Sequence, residues 1–475
     1  MVEQECQKIA IAGSSGFVGR GLIEALLNQT SHKIVCLSRR PREYHNPRLE
    51  SRACDFYSLK DAEDGLAGCH QAIYLIHSMS VSNRLSQGDF ADFDYVLADN
   101  FARAAHKAGI KNIIYIGGMS SDEHCKRSLH LDSRIEVEHV LSSYQGSVTV
   151  MRCSMIIGPH GSSFLILKKL VKRLPIMGLP KWIKTRCQPI YIQDIIAIII
   201  KTIEHPCVWG RIYDCGSPQA YTYKSLIQEI SKSLGVKRLL FDLPYIPIVI
   251  SKLWVWLFSG ADKSLLYPLI DSVNTTMLLG QKRRLPPEVE IEYTPIEIAI
   301  NESIHKFQLS NENLAGKPSF SVKIRNEVRS IQRLPLPPKM NAYHIARLYT
   351  WWLPRFLSKV LVVRKNQNLI RFYLTGLKWP LLVLRAESNR SYPDRQLFYI
   401  DGGLLSRPTK RGRLEFRIPR TEDCVIAAIH DFQPRLPWWI YRFSQAVAHK
   451  FVMSQFRLTL NRIKNKREKF QAKTA

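Results

Sequence analysis

The chain has 475 residues, 45% of them hydrophobic, and a formal net charge of +28 from 68 lysines and arginines against 40 acidic residues. That length exceeds a single core and predicts two or three domains. Among ten cysteines there is no C-x-x-C pair, and no apolar run reaches the roughly 20 residues that cross a bilayer, which sets aside a zinc site, a disulfide framework and a membrane span. The charge points to an acidic partner, whether anionic lipid, nucleic acid or an acidic protein, or else to a solubility effect. No nucleic-acid-reading motif accompanies it, so no nucleic acid is expected.

A short apolar strand, Lys8–Ala12, leads into Gly13-Ser14-Ser15-Gly16-Phe17-Val18-Gly19 and an amphipathic helix over 17–27. In that order Gly13 permits the tight turn and Gly16 lets backbone N–H groups approach a pyrophosphate. Gly19 lets the helix pack closely on the strand, and the helix N-terminus supplies positive potential. The competing reading is an ordinary glycine turn; the sequence strand, glycines, helix favours a dinucleotide. The second strand, 32–37, ends in Ser38-Arg39-Arg40, where an NAD-preferring site usually carries a carboxylate. Two guanidiniums there favour NADP(H) over NAD(H) through the 2′-phosphate; the alternative is a solvated arginine pair. Asp55-Phe56 ends a third strand-like stretch and either faces an adenine or caps a helix over 59–68.

Strands at 72–76, 112–116 and 148–152 alternate with helices at 92–108 and 133–143. Alternation of this kind implies an α/β fold with a parallel sheet covered on both faces and ligands at the carboxyl ends of the strands. Ser38, Asp55, His77, Gly117 and Ser154 then share one crevice. Cys36, Cys153 and Cys215 fall on strands expected to be buried, which fits reduced thiols in a cytoplasmic protein. A helix follows Ile190-Tyr-Ile-Gln-Asp194, and Thr222 caps another running to Leu234. The apolar run 243–258, broken by Pro244, Pro247 and Lys252, reads as a helix lying on a membrane, lining a cleft or simply buried.

Residues 311–318 read as a linker. Beyond it come a strand over 321–329, a Trp-rich helix over 340–359 and strands at 361–363, 369–373, 381–384, 397–400, 413–418 and 425–430. One long helix, 438–463, places Ile440, Phe443, Val447, Phe451 and Leu458 near helical spacing, and a basic tail closes the chain at 466–475. This is the order of a curved antiparallel sheet gripping a C-terminal helix. Domains are therefore expected at 1–310, with a small mixed substrate lobe formed mainly by 155–310, and at 319–465.

The first ~310 residues resemble the short-chain dehydrogenase/reductase superfamily in its extended or atypical, NmrA-like branch, with an epimerase/dehydratase-type Rossmann domain. The resemblance rests on Gly13 to Gly19, Tyr74-Leu-Ile76-His77-Ser78-Met79, Asn100-Phe-Ala-Arg-Ala-Ala-His-Lys-Ala-Gly109, Ile114-Tyr-Ile-Gly117-Gly118, Arg152-Cys-Ser-Met-Ile-Ile-Gly158 and Gln188-Pro-Ile-Tyr-Ile-Gln-Asp194. The C-terminal part is similar, more weakly, to START/polyketide-cyclase helix-grip domains. The resemblance implies a cofactor along the glycine loop, with Ser38, Arg39 and Arg40 at the ribose and Asp55 and Phe56 toward the adenine. Ile76, His77 and Gly117 would follow the rest of the cofactor, His77 and Gly117 on the nicotinamide side.

Catalytic members of that superfamily carry a Tyr-x-x-x-Lys pair; here His130 and Arg134 stand in those places, and Gly117-Gly118 replaces the usual serine, with Ser120 and Ser121 just beyond. His130 either donates a proton near neutral pH or is a surface histidine in a polar loop over 124–132. Arg134 binds a ribose or supports a charge, and His77 contacts substrate or caps its strand. His305, His344, His430 and His449 make no ligand pattern, so no metal is expected. Three functions compete: an NADP(H)-dependent oxidoreductase acting on a hydrophobic small molecule; an NADP(H) sensor, regulator or assembly factor without turnover; and a lipid-binding protein peripheral to an anionic membrane.

Overall fold

The computed structural model describes residues 6–78, 83–120, 128–144, 146–243, 247–260, 262–312, 325–358, 360–420 and 424–474. Met79, Ser121, His124, the linker beyond 312 and the start of the 321–329 strand lie outside them. The chain forms two compact units, Met1–Ser80 with Asp94–Ser319, and Val81–Phe93 with Phe320–Ala475. The sequence reading takes 1–310 as one continuous piece; residues 81–93 depart from it because they contribute a strand to the second unit's sheet.

In the first unit, β1 (Lys8–Ala12), α1 (Phe17–Gln29), β2 (Lys33–Ser38), β3 (Leu49–Ala53), α2 (Leu59–Leu66) and β4 (Gln71–Tyr74) come first. The chain then passes through β5 (Asn83–Gln87), in the second unit, and returns along α3 (Phe90–Lys107) to β6 (Asn112–Gly118), α4 (Leu129–Tyr144) and β7 (Val148–Cys153). The sheet runs β3-β2-β1-β4-β6-β7 and ends with the strand Ile212–Cys215, every pair parallel. Ile9, Ala10, Ile11 and Ala12 are all fully buried, the continuous apolar run that a central parallel strand needs on both faces. The order reverses between β1 and β4, which opens a crevice at their carboxyl ends. Cys36, Cys153 and Cys215 are buried free thiols.

The remaining elements of this unit extend it around α5 (Ser162–Arg173), α6 (Ile192–Glu204), α7 (Tyr223–Ser233), α8 (Ile248–Ser259) and α9 (Lys263–Ser272). Thr222 caps α7 through a reciprocal box with Ser225. The alternative of a buried helix for the 243–258 run does not hold. Only Ser251, Val255 and Ser259 of α8 are buried, while Val249 is 71% and Leu257 64% exposed.

The second unit has an eight-stranded sheet in the order Leu361–Asn366, Leu369–Leu374, Pro380–Ala386, Arg395–Gly402, Arg413–Arg417, Cys424–Phe432, Arg325–Pro335 and β5. Its pairs are antiparallel except the last, where β5 lies parallel to Arg325–Pro335. The helix Ala342–Phe356 buries Ile345, Tyr349, Trp352 and Leu353 in this unit's core. The single C-terminal helix expected from the sequence is two, Trp438–Phe443 and Gln445–Thr474, interrupted at Ser444, and the basic tail continues the second of them to Thr474. The break resets the helical phase. Ala446, Met453, Phe456 and Leu460 turn inward, and Phe456 meets Tyr349 and Trp352 with ring centroids 5.1 Å away. Phe443, Val447, Phe451 and Leu458 of the expected apolar stripe face outward. Glu415 and Arg417 are buried together with Arg395 in an ion-paired cluster.

Candidate functional site

The glycine loop has the geometry of an anion cradle. Gly13 sits at φ +94°, a conformation that disfavours any side chain, and the Gly16 N–H donates to Gly13 O at 2.9 Å to close the turn. A Cβ on Gly19 would stand 2.4 Å from Gly13 O, so the helix approaches the loop as closely as backbone allows. Gly16 caps α1 with no side-chain hydrogen bond, and the first turn holds no acid. The free N–H groups and the positive end of the helix are therefore left for an external anion. Ser14 is buried and donates from Oγ to Leu37 O at 3.2 Å, tying the loop to β2, while Ser15 is exposed and Phe17 and Val18 are half-buried.

Past the end of β2, Arg39 and Arg40 are exposed beside the half-buried Ser38, whose Oγ donates to Arg40 O at 2.6 Å. Asp55 and Phe56 are buried. Asp55 does not cap α2; Ser58 does, accepting from Asp61 N–H, and the Asp55 carboxylate accepts from Tyr57 N–H at 3.2 Å. Asn100, on α3, fixes that turn by donating to Phe56 O at 2.7 Å.

On the other side of the crevice lie His77, just beyond β4, Ile76 beside it and Gly117 at the end of β6. The sequence reading missed the residue that organises this side. Asp94, on α3, is only 1% exposed, and its Oδ2 stands 2.7 Å from His77 Nδ1 while its Oδ1 accepts from Ser78 N–H at 2.7 Å. A buried carboxylate on Nδ1 fixes the imidazole with Nδ1–H donating and Nε2 as the free base. That Nε2 is buried and has no hydrogen-bond partner. The signal was present in Phe93-Asp94-Tyr95-Val96, an acid enclosed by apolar residues, all three of which are buried.

Arg134 is buried on α4 and donates from Nη2 to Ile116 O at 2.7 Å; its Nη1 also lacks a partner. Tyr115 donates to Arg134 O at 3.0 Å, and the guanidinium lies 5.0 Å from the Tyr115 ring centre. Helix α4 begins at Leu129, so His130 belongs to its first turn rather than to a loop, and its ring centre is 5.1 Å from that of His77. Desolvation, then the neighbouring His77 and Arg134, push the His130 pKa down to about 3. A pKa there leaves the imidazole uncharged near neutral pH. Desolvation also lowers His77 against the opposing pull of Asp94, and His77, with Arg134, holds Asp94 below the usual carboxylate range. A cavity of ≈ 770 Å³, counting its open mouth, adjoins this cluster and is lined by Gly118, His130, Met155, Leu170, Trp182 and Tyr223 among others. Among the described residues no group of His, Cys, Asp and Glu could hold a metal ion, and no helix is long and apolar enough to cross a membrane.

Residues 13–154 match a protein family described as NAD(P)H-binding. The auxiliary protein GraX of Staphylococcus aureus is 25% identical over 178 residues, 35% of this chain and 58% of that protein. Subunit 9 of the NADH dehydrogenase [ubiquinone] 1 alpha subcomplex, a mitochondrial protein of Arabidopsis thaliana, is 21% identical over 224 residues, 46% of this chain and 56% of that one. The matched region thus spans little more than half of either relative. Among solved structures, the triphenylmethane reductase of Citrobacter sp. superposes with a TM-score of 0.49 at 16% identity, covering 63% of this chain and 99% of its own. An NADPH-dependent quinone oxidoreductase of Escherichia coli gives 0.47 at 18%, with 62% and 99% covered. Together, the glycine cradle, the parallel sheet order and the family match identify residues 13–154 as an NAD(P)H-binding domain of Rossmann type.

Proposed function

We propose that the first unit is an NADP(H)-dependent oxidoreductase acting on a hydrophobic alcohol or carbonyl compound, with His77 as the proton carrier. The observation that supports it most is the pair of buried, unpartnered polar atoms on two residues that both act on Asp94, His77 Nε2 as acceptor and Arg134 Nη1 as donor. Leaving such atoms unpaired costs about 1–3 kcal/mol each, a cost a bound ligand would offset. Arg39 and Arg40, exposed past β2 and with no acid in the run Ser38-Arg39-Arg40, support the phosphorylated dinucleotide. The cofactor, when bound, supplies or accepts a hydride.

Asp94 orients His77 through Nδ1 and stabilises its charge whenever Nε2 holds a second proton. In the oxidising direction Nε2 takes the proton of the substrate hydroxyl; in the reducing direction it returns one to the carbonyl oxygen. Arg134 Nη1 donates to that oxygen or to the ribose, and neutral His130 walls the apolar cavity beside them. A second reading, an NADP(H) sensor without turnover, is favoured by the replacement of Tyr and Lys by His130 and Arg134. Association with an anionic bilayer is supported by the exposed apolar side chains of α8 and the chain's net charge of +28.

The test is NADPH oxidation with a panel of apolar ketones and quinones. Wild type is expected to turn over, and Asp94→Asn to lose about a hundredfold or more in kcat with NADPH affinity retained, since an amide at 94 can still accept from Ser78 N–H but no longer holds the imidazole tautomer or stabilises its charge. Tight NADPH binding without turnover on any panel member would transfer the assignment to the sensor, whereas full activity in Asp94→Asn would remove His77 as the proton carrier.

A further inference from the structure

The cavity beside the His77 cluster has one polar feature that the chemistry above leaves unused. It encloses ≈ 770 Å³, counting its open mouth, a size that suits a drug-sized ligand. Leu167 and Leu170 of α5, Val255 of α8 and Leu266 and Ile270 of α9 contribute to its apolar wall, and no Lys, Arg, Asp or Glu is among its lining residues. Trp182 also lines it, from the short 3-10 turn Lys181–Lys184, an element that carries no member of the His77 cluster. The Trp182 Nε1 is buried and has no hydrogen-bond partner.

The other polar side chains of the wall are Ser154, Ser163, Ser272, Tyr223, His130 and the Cys153 thiol. Ser154 Oγ donates to Gln188 O at 2.6 Å and Ser272 Oγ to Pro268 O at 2.9 Å, so both protons are used within the protein. Ser163 lies in the first turn of α5, and His130 is uncharged near neutral pH. Burial pushes the Tyr223 phenol well above its ordinary value, so it keeps its proton. Its ring meets that of Trp182 edge to face with centroids 6.2 Å apart, and Thr185 N–H donates to Trp182 O at 3.0 Å. Both contacts fix the indole in the wall. A hydroxyl or phenol oxygen can serve as donor or acceptor, whereas an indole N–H can only donate. What the wall lacks is therefore an acceptor for Trp182.

We propose that this cavity selects a neutral apolar substrate carrying a second oxygen besides the reacting one, a ketone, ester or ether oxygen that accepts from Trp182 Nε1–H. The inference rests on the oxidoreductase reading for the reacting oxygen, which His77 and Arg134 would hold. A substrate with a methylene in place of the second oxygen leaves the indole N–H unpaired and binds more weakly. A carboxylate in that place is disfavoured, because no cation lines the cavity to offset its desolvation.

The experiment is isothermal titration calorimetry of the full chain with three probes, undecane-2,10-dione, undecan-2-one and 10-oxoundecanoate, with NADP+ present so that no hydride reaches a ketone. The dione is expected to bind about tenfold more tightly than the monoketone, one hydrogen bond's worth, and the carboxylate more weakly than the dione. Trp182→Phe keeps an aromatic ring and removes the N–H. It should reduce dione affinity by about the same factor and leave the monoketone unchanged. Binding of none of the three, equal binding of dione and monoketone, or tightest binding of the carboxylate would each overturn the proposal. The comparison of the probes on unaltered protein keeps it falsifiable even if Trp182→Phe does not fold. NADPH oxidation, followed alongside, separates the two readings. Preference for the dione without turnover would remove the oxidoreductase and leave the acceptor-selective site standing, whereas turnover of both ketones at equal KM would do the reverse.

Discussion

Gly19→Ala is the most informative single change in the first unit. The added Cβ would lie 2.4 Å from Gly13 O and 2.9 Å from Ser14 Cα, both backbone atoms of the loop that would hold the pyrophosphate. Neither can rotate away, so α1 must move off β1 or the loop must open. Overpacking of this kind costs about 1–3 kcal/mol, and if that strain is released by distorting the cradle, NADPH affinity falls by roughly five- to 150-fold. Gly21→Ala, two residues further along the same helix, is the control. Its Cβ would meet only the Ile196 Cδ1 methyl at 2.9 Å, the end of a side chain, and alanine favours the helix by about 1 kcal/mol over glycine. The assay is titration of NADPH followed by nicotinamide fluorescence, with circular dichroism to establish that both variants are folded. A folded Gly19→Ala that binds NADPH like wild type would refute the placement of the dinucleotide on this loop.

Three further outcomes are expected. Replacing Arg39 and Arg40 together by Ala should weaken NADPH about tenfold or more and leave NADH nearly unchanged, measured by the same titration; equal losses would remove the proposed preference. The histidines buried as neutral rings make the protein acid-sensitive. His449 and His130 fall from 6.5 to about 4 and about 3 on folding, so protons bind the unfolded chain better. Stability is then level above pH 6.5 and is lost as pH falls below it, by up to about 1.4 kcal/mol per pH unit for each histidine. His449→Asn should flatten the second unit's share of that slope in urea melts at successive pH values, and an unchanged slope would contradict the burial argument. Anionic vesicles should retain the protein at low salt and release it at high salt. Val249→Asp with Leu257→Asp should abolish retention, whereas retention that ignores these exposed α8 positions would assign the contact elsewhere.

What the sequence made legible was local. The β1 strand, the glycine loop and the Thr222 cap depend on residues within one turn of each other, and each stands where the pattern placed it. The site's long-range parts were hidden. Asp94 reaches His77 across 17 positions, through an excursion whose middle, β5, pairs with a strand at Arg325–Pro335. The segment Asn83-Arg-Leu-Ser-Gln87 lacks the β-branched and aromatic residues that mark a strand, so only its partner specifies it. His130 was misplaced because α4 begins one turn earlier than its apolar spacing suggests. The C-terminal helix presented two apolar stripes, and the break at Ser444 decided between them in favour of Ala446, Met453, Phe456 and Leu460.

The most direct measurement is a crystal structure with NADP+ bound. The expected result places the pyrophosphate on the free N–H groups at the start of α1, the 2′-phosphate against Arg39 or Arg40, and the nicotinamide beside His77 Nε2. A pyrophosphate away from the glycine loop, or a nicotinamide turned away from His77 and Arg134, would contradict both the cofactor site and the proposed proton carrier.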